Sequence, residues 1–302
     1  MSGAFARVWN VATMEWRLAV RSRRAMVMTL LFVAVAVGVM YLTITSFMAV
    51  ERELLVSLGL STDGAPGSAL MTVWKSKPFV RFVEHVSGGS LVFADIRGRN
   101  PLLLVYAVFV FQVVPLLTLM VSASRVADDV RSGAARYWLV RVSRTEWSLG
   151  KFLGESLMLA TAMLVGALAA WGVALARLPA ADGAALLPGI LEWTARAWVY
   201  AFAWLGVFLG LSHVAKSGGK ATALGILALL GAAAWGPMLD NLAENVAGFG
   251  WASHLDALVP GSAWTLLWRR SPAVVFQGVV HMVALAFLYL ALGAAVFRRR
   301  DV

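Results

Sequence analysis

The sequence contains no cysteine, which excludes disulfides, thiolate metal sites and cysteine nucleophiles together. Charge is scarce as well: 14% of the residues are Asp, Glu, Lys or Arg, against about 25% in ordinary soluble domains. No ATP-binding G-x-x-x-x-G-K-[ST] loop exists, because neither Gly219-Lys220 nor Gly150-Lys151 is followed by Ser or Thr. H-E-x-x-H and G-x-S-x-G are also missing. We therefore expect no catalytic residues, no metal site and no ATPase site in this chain.

What the sequence does contain is hydrophobic: 60% of its 302 residues are apolar. A chain this apolar has too little polar surface to cover itself, so membrane lipid must be part of its solvent. Runs of about twenty apolar residues are long enough to cross a bilayer as helices. We predict an all-α, polytopic membrane protein that forms one transmembrane domain over residues 1–302. Its six predicted spans are residues 25–48, 102–123, 152–175, 193–213, 221–238 and 273–296.

The net charge of +10 sets orientation and does not indicate a nucleic-acid partner. With both termini in the cytoplasm, the inner segments are residues 1–24, 124–151, 214–220 and 297–302. They hold sixteen of the 26 basic residues. The longer segments 49–101 and 239–272 are then extracytoplasmic loops. This placement satisfies the positive-inside rule and predicts cytoplasmic termini.

Residues 1–24 predict an amphipathic helix that lies in the membrane interface. Phe5, Trp9 and Trp16 recur with helical spacing on an apolar stripe, whereas Arg17 and Arg21 lie on the other face. A helix that packs against a soluble partner is the alternative. The run after this segment has the length of a span, so the segment is not a cleavable signal peptide.

Few ionisable groups lie within the predicted spans or at their ends. Glu192 and Arg196 are spaced i, i+4 and are expected to pair on one helix face. His281 lies near the middle of the sixth span, where it either bonds to a neighbouring helix or relays protons. Gly206 and Gly210 form a G-x-x-x-G pattern that allows close helix approach, either within the chain or between two copies.

Residues 124–151 form the longest charged interruption on the inner side, with six basic and three acidic residues. Asp128 and Asp129 precede Gly133, and an apolar run follows, so the pattern predicts helix, turn, helix. A connection that only joins two spans is usually about 2–8 residues long. We therefore expect a soluble partner to dock on this loop, with Asp128, Asp129, Arg131 and Arg136 as its docking residues.

This loop resembles that of the permease subunits of type-2 ATP-binding-cassette (ABC) exporters. Family members tend to show an acidic residue, then Gly-Thr, two apolar residues, Pro-Val-Ser-Arg and a later Gly-Lys. The matching residues here are Asp129, Gly133, Leu139, Val140, Val142, Ser143, Arg144, Gly150 and Lys151. Asp replaces the usual Glu, Ala134 the usual Thr and Arg141 the usual Pro. Glu15-Trp16-Arg17 also resembles the family's N-terminal elbow helix, which includes Trp9 here.

The resemblance implies a permease that pairs with a second permease, identical or homologous, and with two ABC ATPase subunits. ATP and Mg²⁺ would be bound by those ATPases, so this chain itself would need no cofactor. The loop would act as the ATPase-coupling element through Asp128, Asp129, Arg131, Gly133, Arg136, Arg144 and Lys151. Export across the inner (cytoplasmic) membrane of a bacterium, with lipid around the spans, is the expected function.

Two other functions fit the same residues. A membrane anchor or scaffold would recruit a soluble protein through the same loop without transport. A proton-coupled secondary transporter would use His281 instead. Residues 49–101 are longer than in compact family members, and they are expected to form either an extracytoplasmic cap or a loose loop. The cargo is left open.

Overall fold

The computed structural model describes residues 3–57, 99–245 and 250–299, together with the single residues Arg81 and Asp95. Within these ranges the chain is mostly helical, with short turns between the helices, and contains no strand, which confirms the all-α prediction. Residues 49–101, which are expected to form either an extracytoplasmic cap or a loose loop, lie mostly outside the described residues.

The helices in the described part of the chain are α-helices and two 3₁₀ helices. The α-helices are α1 (Gly3–Arg21), α2 (Arg23–Ser57), α3 (Pro101–Ser122), α4 (Arg125–Ser132), α5 (Ala134–Leu139), α6 (Arg144–Arg177), α7 (Ala180–Ala185), α8 (Leu187–Val214), α9 (Gly218–Asn245) and α10 (Pro272–Arg298). Two 3₁₀ helices, Gly250–Leu258 and Ala263–Trp268, connect α9 to α10.

Six helical segments are long and apolar enough to cross a membrane, as predicted from the sequence. They are Ala25–Val50, Pro101–Ser132, Arg144–Arg177, Asp182–Val214, Gly218–Gly236 and Pro272–Arg298. Several of these helices run past the predicted span ends. The helix that holds the third span, for example, begins at Arg144, where Ser143 and Glu146 form a reciprocal capping box.

Helix α8 is the centre of the bundle and packs against α3, α6 and α10. Its contact with α10 is close because both helices present glycine. A Cβ atom on Gly210 would lie 2.5 Å from the Tyr289 carbonyl oxygen, and one on Gly293 would lie 2.5 Å from the Gly210 Cα. Gly206 meets the Ala286 backbone in the same way. The G-x-x-x-G pattern of α8 is thus occupied by a contact within the chain.

The segment between α9 and α10 folds back along the bundle. The Tyr289 hydroxyl donates to the Leu258 carbonyl oxygen at 2.6 Å. Tyr289 lies about 25 Å along α10 from Pro272, given a rise of about 1.5 Å per residue. The first 3₁₀ helix therefore ends near the middle of the bundle, although its residues were predicted to belong to an outer loop.

Replacing Gly210 with Ala should destabilise the protein by about 1–3 kcal/mol, because the added methyl group overpacks the α8–α10 contact. The control is Gly172→Ala on α6, where a Cβ would meet nothing within 4 Å. That change should be neutral or stabilising by up to about 1 kcal/mol through helix propensity. Thermal unfolding in one detergent compares the two variants, and equal midpoints would contradict the packing assigned to Gly210.

Candidate functional site

The candidate site lies at the end of the bundle where α1, α4, α5 and the first turns of α6 meet, here called the α4–α5 end. Helix α1 packs along α6 over two glycines one turn apart. A Cβ on Gly150 would lie 2.5 Å from the Val11 Cβ, and one on Gly154 would lie 2.6 Å from the Glu15 Cβ. These glycines let α1 approach so closely that Glu15, only 7% exposed, enters the interior.

Lys151 lies between these two glycines and is 2% exposed. Its Nζ atom is 2.7 Å from Glu15 Oε1 on α1. The same Nζ also contacts Asp129 Oδ2 on α4. One ammonium group thus joins α1, α4 and α6. A charge buried this deeply is stable only when it is paired, so each of the three helices fixes the position of the other two.

A second charged contact lies beside the contacts of Lys151. Arg125 Nε on α4 is 3.0 Å from Glu155 Oε1 on α6, and Glu155 is 1% exposed. The Nε hydrogen points to the Val121 carbonyl oxygen, so Glu155 has a charge contact but no hydrogen-bond partner among the described residues. Three carboxyl groups and two cationic groups therefore lie close together between the helices: Glu15, Asp129 and Glu155 with Arg125 and Lys151.

A third ion pair joins α1 to the start of α6 at the surface. Arg7 Nη2 lies 2.6 Å from Glu146 Oε1, and Arg7 Nε donates to the same oxygen at 2.9 Å. The hydrogen bond to Glu146 raises the pKa of the Arg7 guanidinium above its ordinary value. Glu146 also caps α6 with Ser143, which ties the α1 contact to the helix terminus.

The ends of α8 and α10 close the site from the other side. The His213 Nδ1 atom lies 2.7 Å from the Leu209 carbonyl oxygen, so Nδ1–H donates there, and Nε2 lies within hydrogen-bond distance of the Ser148 hydroxyl, at 2.8 Å. Trp147 stacks on Phe297 with ring centroids 5.7 Å apart.

Arg144 also holds the end of α10, because it donates to the Phe297 and Arg298 carbonyl oxygens at 2.8 and 2.9 Å. A cation at this position satisfies the unpaired carbonyls of a helix end.

The surface of α4 and α5 is exposed and mixed in character. Val140 is 87% exposed and Tyr137 is 58% exposed. The Arg141 guanidinium lies 4.5 Å from the centre of the Tyr137 ring, and Arg131 and Arg136 are also exposed. Gly133 separates the two helices with φ at 78°, in the left-handed region that favours glycine. The helix, turn, helix prediction is thus confirmed.

The residues predicted to couple to an ATPase differ in their surroundings. Arg131 and Arg136 are exposed, whereas Asp129 contacts buried Lys151 and Arg144 donates to the end of α10. Asp128 is half-buried, and its carboxylate lies against Gly218 at the start of α9, where a helix end attracts anions. Their role in docking an ATPase stays a prediction.

The other predicted residues have separate positions. The Trp16 Nε1–H donates to Thr161 on α6, whereas Trp9 and Arg17 are exposed. His281 is half-buried on α10, and its Nε2 has no hydrogen-bond partner among the described residues. Within the same residues, no group of His, Asp and Glu side chains is arranged to hold a metal ion.

The sequence did not predict that Lys151 contacts both Glu15 and Asp129. The available signal was the second G-x-x-x-G pattern, Gly150 to Gly154, which encloses Lys151. A close-packing surface with a buried cation needs a carboxylate on its partner helix.

The opposite end of the bundle has its own charged group. Glu192 and Arg196 pair at 2.5 Å, as their spacing predicted, and Arg99 also contacts Glu192 at 3.1 Å. The Arg99 and Arg196 guanidiniums lie 5.3 and 5.2 Å from the centre of the Trp193 ring. Arg196 donates to the Leu267 carbonyl oxygen at 2.6 Å, which anchors the second 3₁₀ helix.

The family model described as "ABC-2 family transporter protein" matches residues 9–302, which is nearly the whole chain. A search of curated proteins finds no match.

Replacing Lys151 with Met should destabilise the protein by about 3–5 kcal/mol, because buried Glu15 and partly buried Asp129 would then both lose the cation that they share. Arg131→Met is the control, since Arg131 is exposed and a surface change usually costs within about 0.5 kcal/mol. Denaturant unfolding in one detergent measures both. A triple variant that adds Glu15→Gln and Asp129→Asn should recover part of the loss. Equal stability of the two single variants would contradict the network.

Proposed function

We propose that this chain, which belongs to the ABC-2 family of transporter proteins, is the permease subunit of an ABC exporter driven by a separate ATPase. The family match and the six apolar helices support the permease role. The chain is a multi-pass membrane protein. The energy for transport then comes from a partner subunit that binds ATP and Mg²⁺.

The ATPase docks on the exposed face of α4 and α5. This face combines exposed Tyr137 and Val140 with Arg131, Arg136 and Arg141. Tyr and Arg are enriched at protein interfaces, where aromatic groups supply buried area and arginines form directed hydrogen bonds. The arginines suit an acidic cleft on the partner.

The observation that carries the coupling mechanism is the buried ammonium of Lys151, which contacts both Asp129 and Glu15. Separating these groups would leave buried charges unpaired, so α4, α6 and α1 resist moving apart. Closure of two ATPase subunits then moves the three helices together as a rigid body, and the change in access across the membrane follows from that motion.

The remaining parts of the proposal follow from this arrangement. The ATPases are cytosolic, so the α4–α5 end and both termini face the cytoplasm, in agreement with the sixteen basic residues of the inner segments. A second permease, identical or homologous, completes the transport path, as expected for the inner membrane of a bacterium. The direction of transport is export.

Reversing charge with Arg131→Glu and Arg136→Glu should release the ATPase, because both side chains are exposed on the docking face. The tagged chain is purified in mild detergent, and co-purifying P-loop ATPase is quantified by mass spectrometry. Each exposed ion pair is worth about 0.2–1 kcal/mol, so the double reversal should weaken binding about two- to thirty-fold.

The matched control reverses Arg177 and Arg270, two exposed arginines at the opposite end of the bundle. It should retain the ATPase at the level of the parent chain. Loss of the ATPase from both double variants, or from neither, would contradict docking on α4 and α5. Purification without any ATPase would favour the anchor or the secondary transporter.

Rigid coupling is tested separately with Glu15→Gln, which keeps the size of the side chain and removes its charge. Because the chain has no cysteine, spin labels at Met14→Cys and Val140→Cys report one distance between α1 and the end of α5. Pulsed electron resonance should show a narrow distribution in the parent and a broader one in Glu15→Gln. The exposed neighbour Arg17→Gln should stay narrow; broadening of similar size there would argue against the Lys151 link.

A further inference from the structure

An apolar cavity of about 690 Å³ lies between α8, α9, α10 and the end of the first 3₁₀ helix. None of the seventeen described residues that line it is charged, and fourteen of them are aliphatic, proline or glycine. The Tyr289 hydroxyl, one of its few polar groups, already donates to Leu258. Water needs about 2–4 polar partners in a buried site, so these walls favour hydrocarbon over water.

The cavity has a closed end, and it opens both along its length, where Leu258 and Leu292 are 47% and 57% exposed, and at its other end, here called the open end. Trp204, 3% exposed, and buried Pro260 lie at the closed end. The lining residues nearest the ends of α8 and α10 are Val214 and Val296, which are 43% and 46% exposed. A hydrocarbon chain can therefore enter from the bilayer on the side of Val214 and Val296 and point its terminal methyl group toward Trp204.

The length of the cavity fits a chain from one membrane leaflet. Ten residues of α8 separate Trp204 from Val214, which corresponds to about 15 Å of helix. One leaflet contributes about half of a hydrocarbon core roughly 30 Å thick. A chain that enters at Val214 thus reaches the closed end with its methyl terminus.

Basic residues stand at the open end. Lys216 follows Val214 by two residues and Arg299 follows Val296 by three, and both side chains are exposed. The two segments are neighbours, because the His213 and Phe297 rings are 5.4 Å apart. Positive charge beside the entrance of an apolar cavity complements a lipid that joins a hydrocarbon chain to a phosphate.

We propose that this cavity is a binding site for one acyl chain of an anionic phospholipid, whose phosphate lies near Lys216 and Arg299. The site is built within a single chain. It depends on the membrane location of the protein and does not depend on the proposed ATPase.

The test uses the full chain in nanodiscs with phosphatidylglycerol that carries a photoreactive diazirine midway along one acyl chain. Cross-linked peptides are identified by mass spectrometry. Cross-links should concentrate on residues 204–214 and 289–296. Phosphatidylcholine with the same chain should label these residues more weakly, by about five-fold for each cation that contributes. Labelling spread evenly over all lipid-facing helices would overturn the proposal, and cross-links to a second copy of the chain would identify a protein occupant instead.

Two pairs of variants separate the chain site from the phosphate site. Ala232→Trp fills the cavity and should abolish labelling there, whereas Ala234→Trp, at an exposed position of the same helix, should not. Lys216→Ala with Arg299→Ala should remove the preference for phosphatidylglycerol and keep chain labelling; exposed Arg17→Ala should keep both.

If Ala232→Trp fails to fold, Ala228→Phe blocks the same cavity from one turn earlier. Unchanged labelling in the folded, blocked variant would overturn the acyl-chain site. An equal yield from the two lipids in the parent chain would overturn the phosphate site.

Discussion

The ammonium of Lys151 is buried where α1, α4 and α6 meet, and the α4–α5 end depends on its contacts with Glu15 and Asp129. Taking such a charge out of water is costly, and the cost is offset only when the partners have good geometry. Apolar helices in lipid have little reason to prefer one register over another, since lipid is as apolar as their side chains. A buried ion contact supplies that preference, because a shift along the helix axis separates the charges.

The number of spans was predictable because length and hydropathy respond directly to the thickness of the bilayer. The Glu192–Arg196 pair was predictable because both partners lie on one helix. The orientation of α1 was harder. Phe5 and Trp9 of the predicted stripe are exposed, whereas Val11, Glu15 and Ala19 are buried. Hydrophobic periodicity identifies the face that avoids water, but it does not distinguish contact with lipid from contact with a glycine-lined helix.

The Lys151 network and the acyl-chain cavity were not predictable for a related reason. Both are made by residues that are distant in sequence and whose local patterns carry little information. Glu15 and Lys151 are 136 positions apart, and the cavity wall includes a 3₁₀ segment that reads as a polar-interrupted loop. Irregular backbone at membrane depth is stable only where protein or a cavity surrounds it, and that condition depends on the tertiary fold.

The packing of α1 on Gly150 and Gly154 also has a consequence for the biosynthesis of the chain. The N-terminal helix is synthesised first, but the surface that receives it follows more than 130 residues later. At a synthesis rate of about 5–20 residues per second, these residues take roughly 7–26 seconds to synthesise, and α1 has no α6 to pack against during that time. During that interval Glu15 has no Lys151, and its charge favours the headgroup region over the bilayer core. Docking of α1 thus cannot precede synthesis of the start of α6, the helix of the third span.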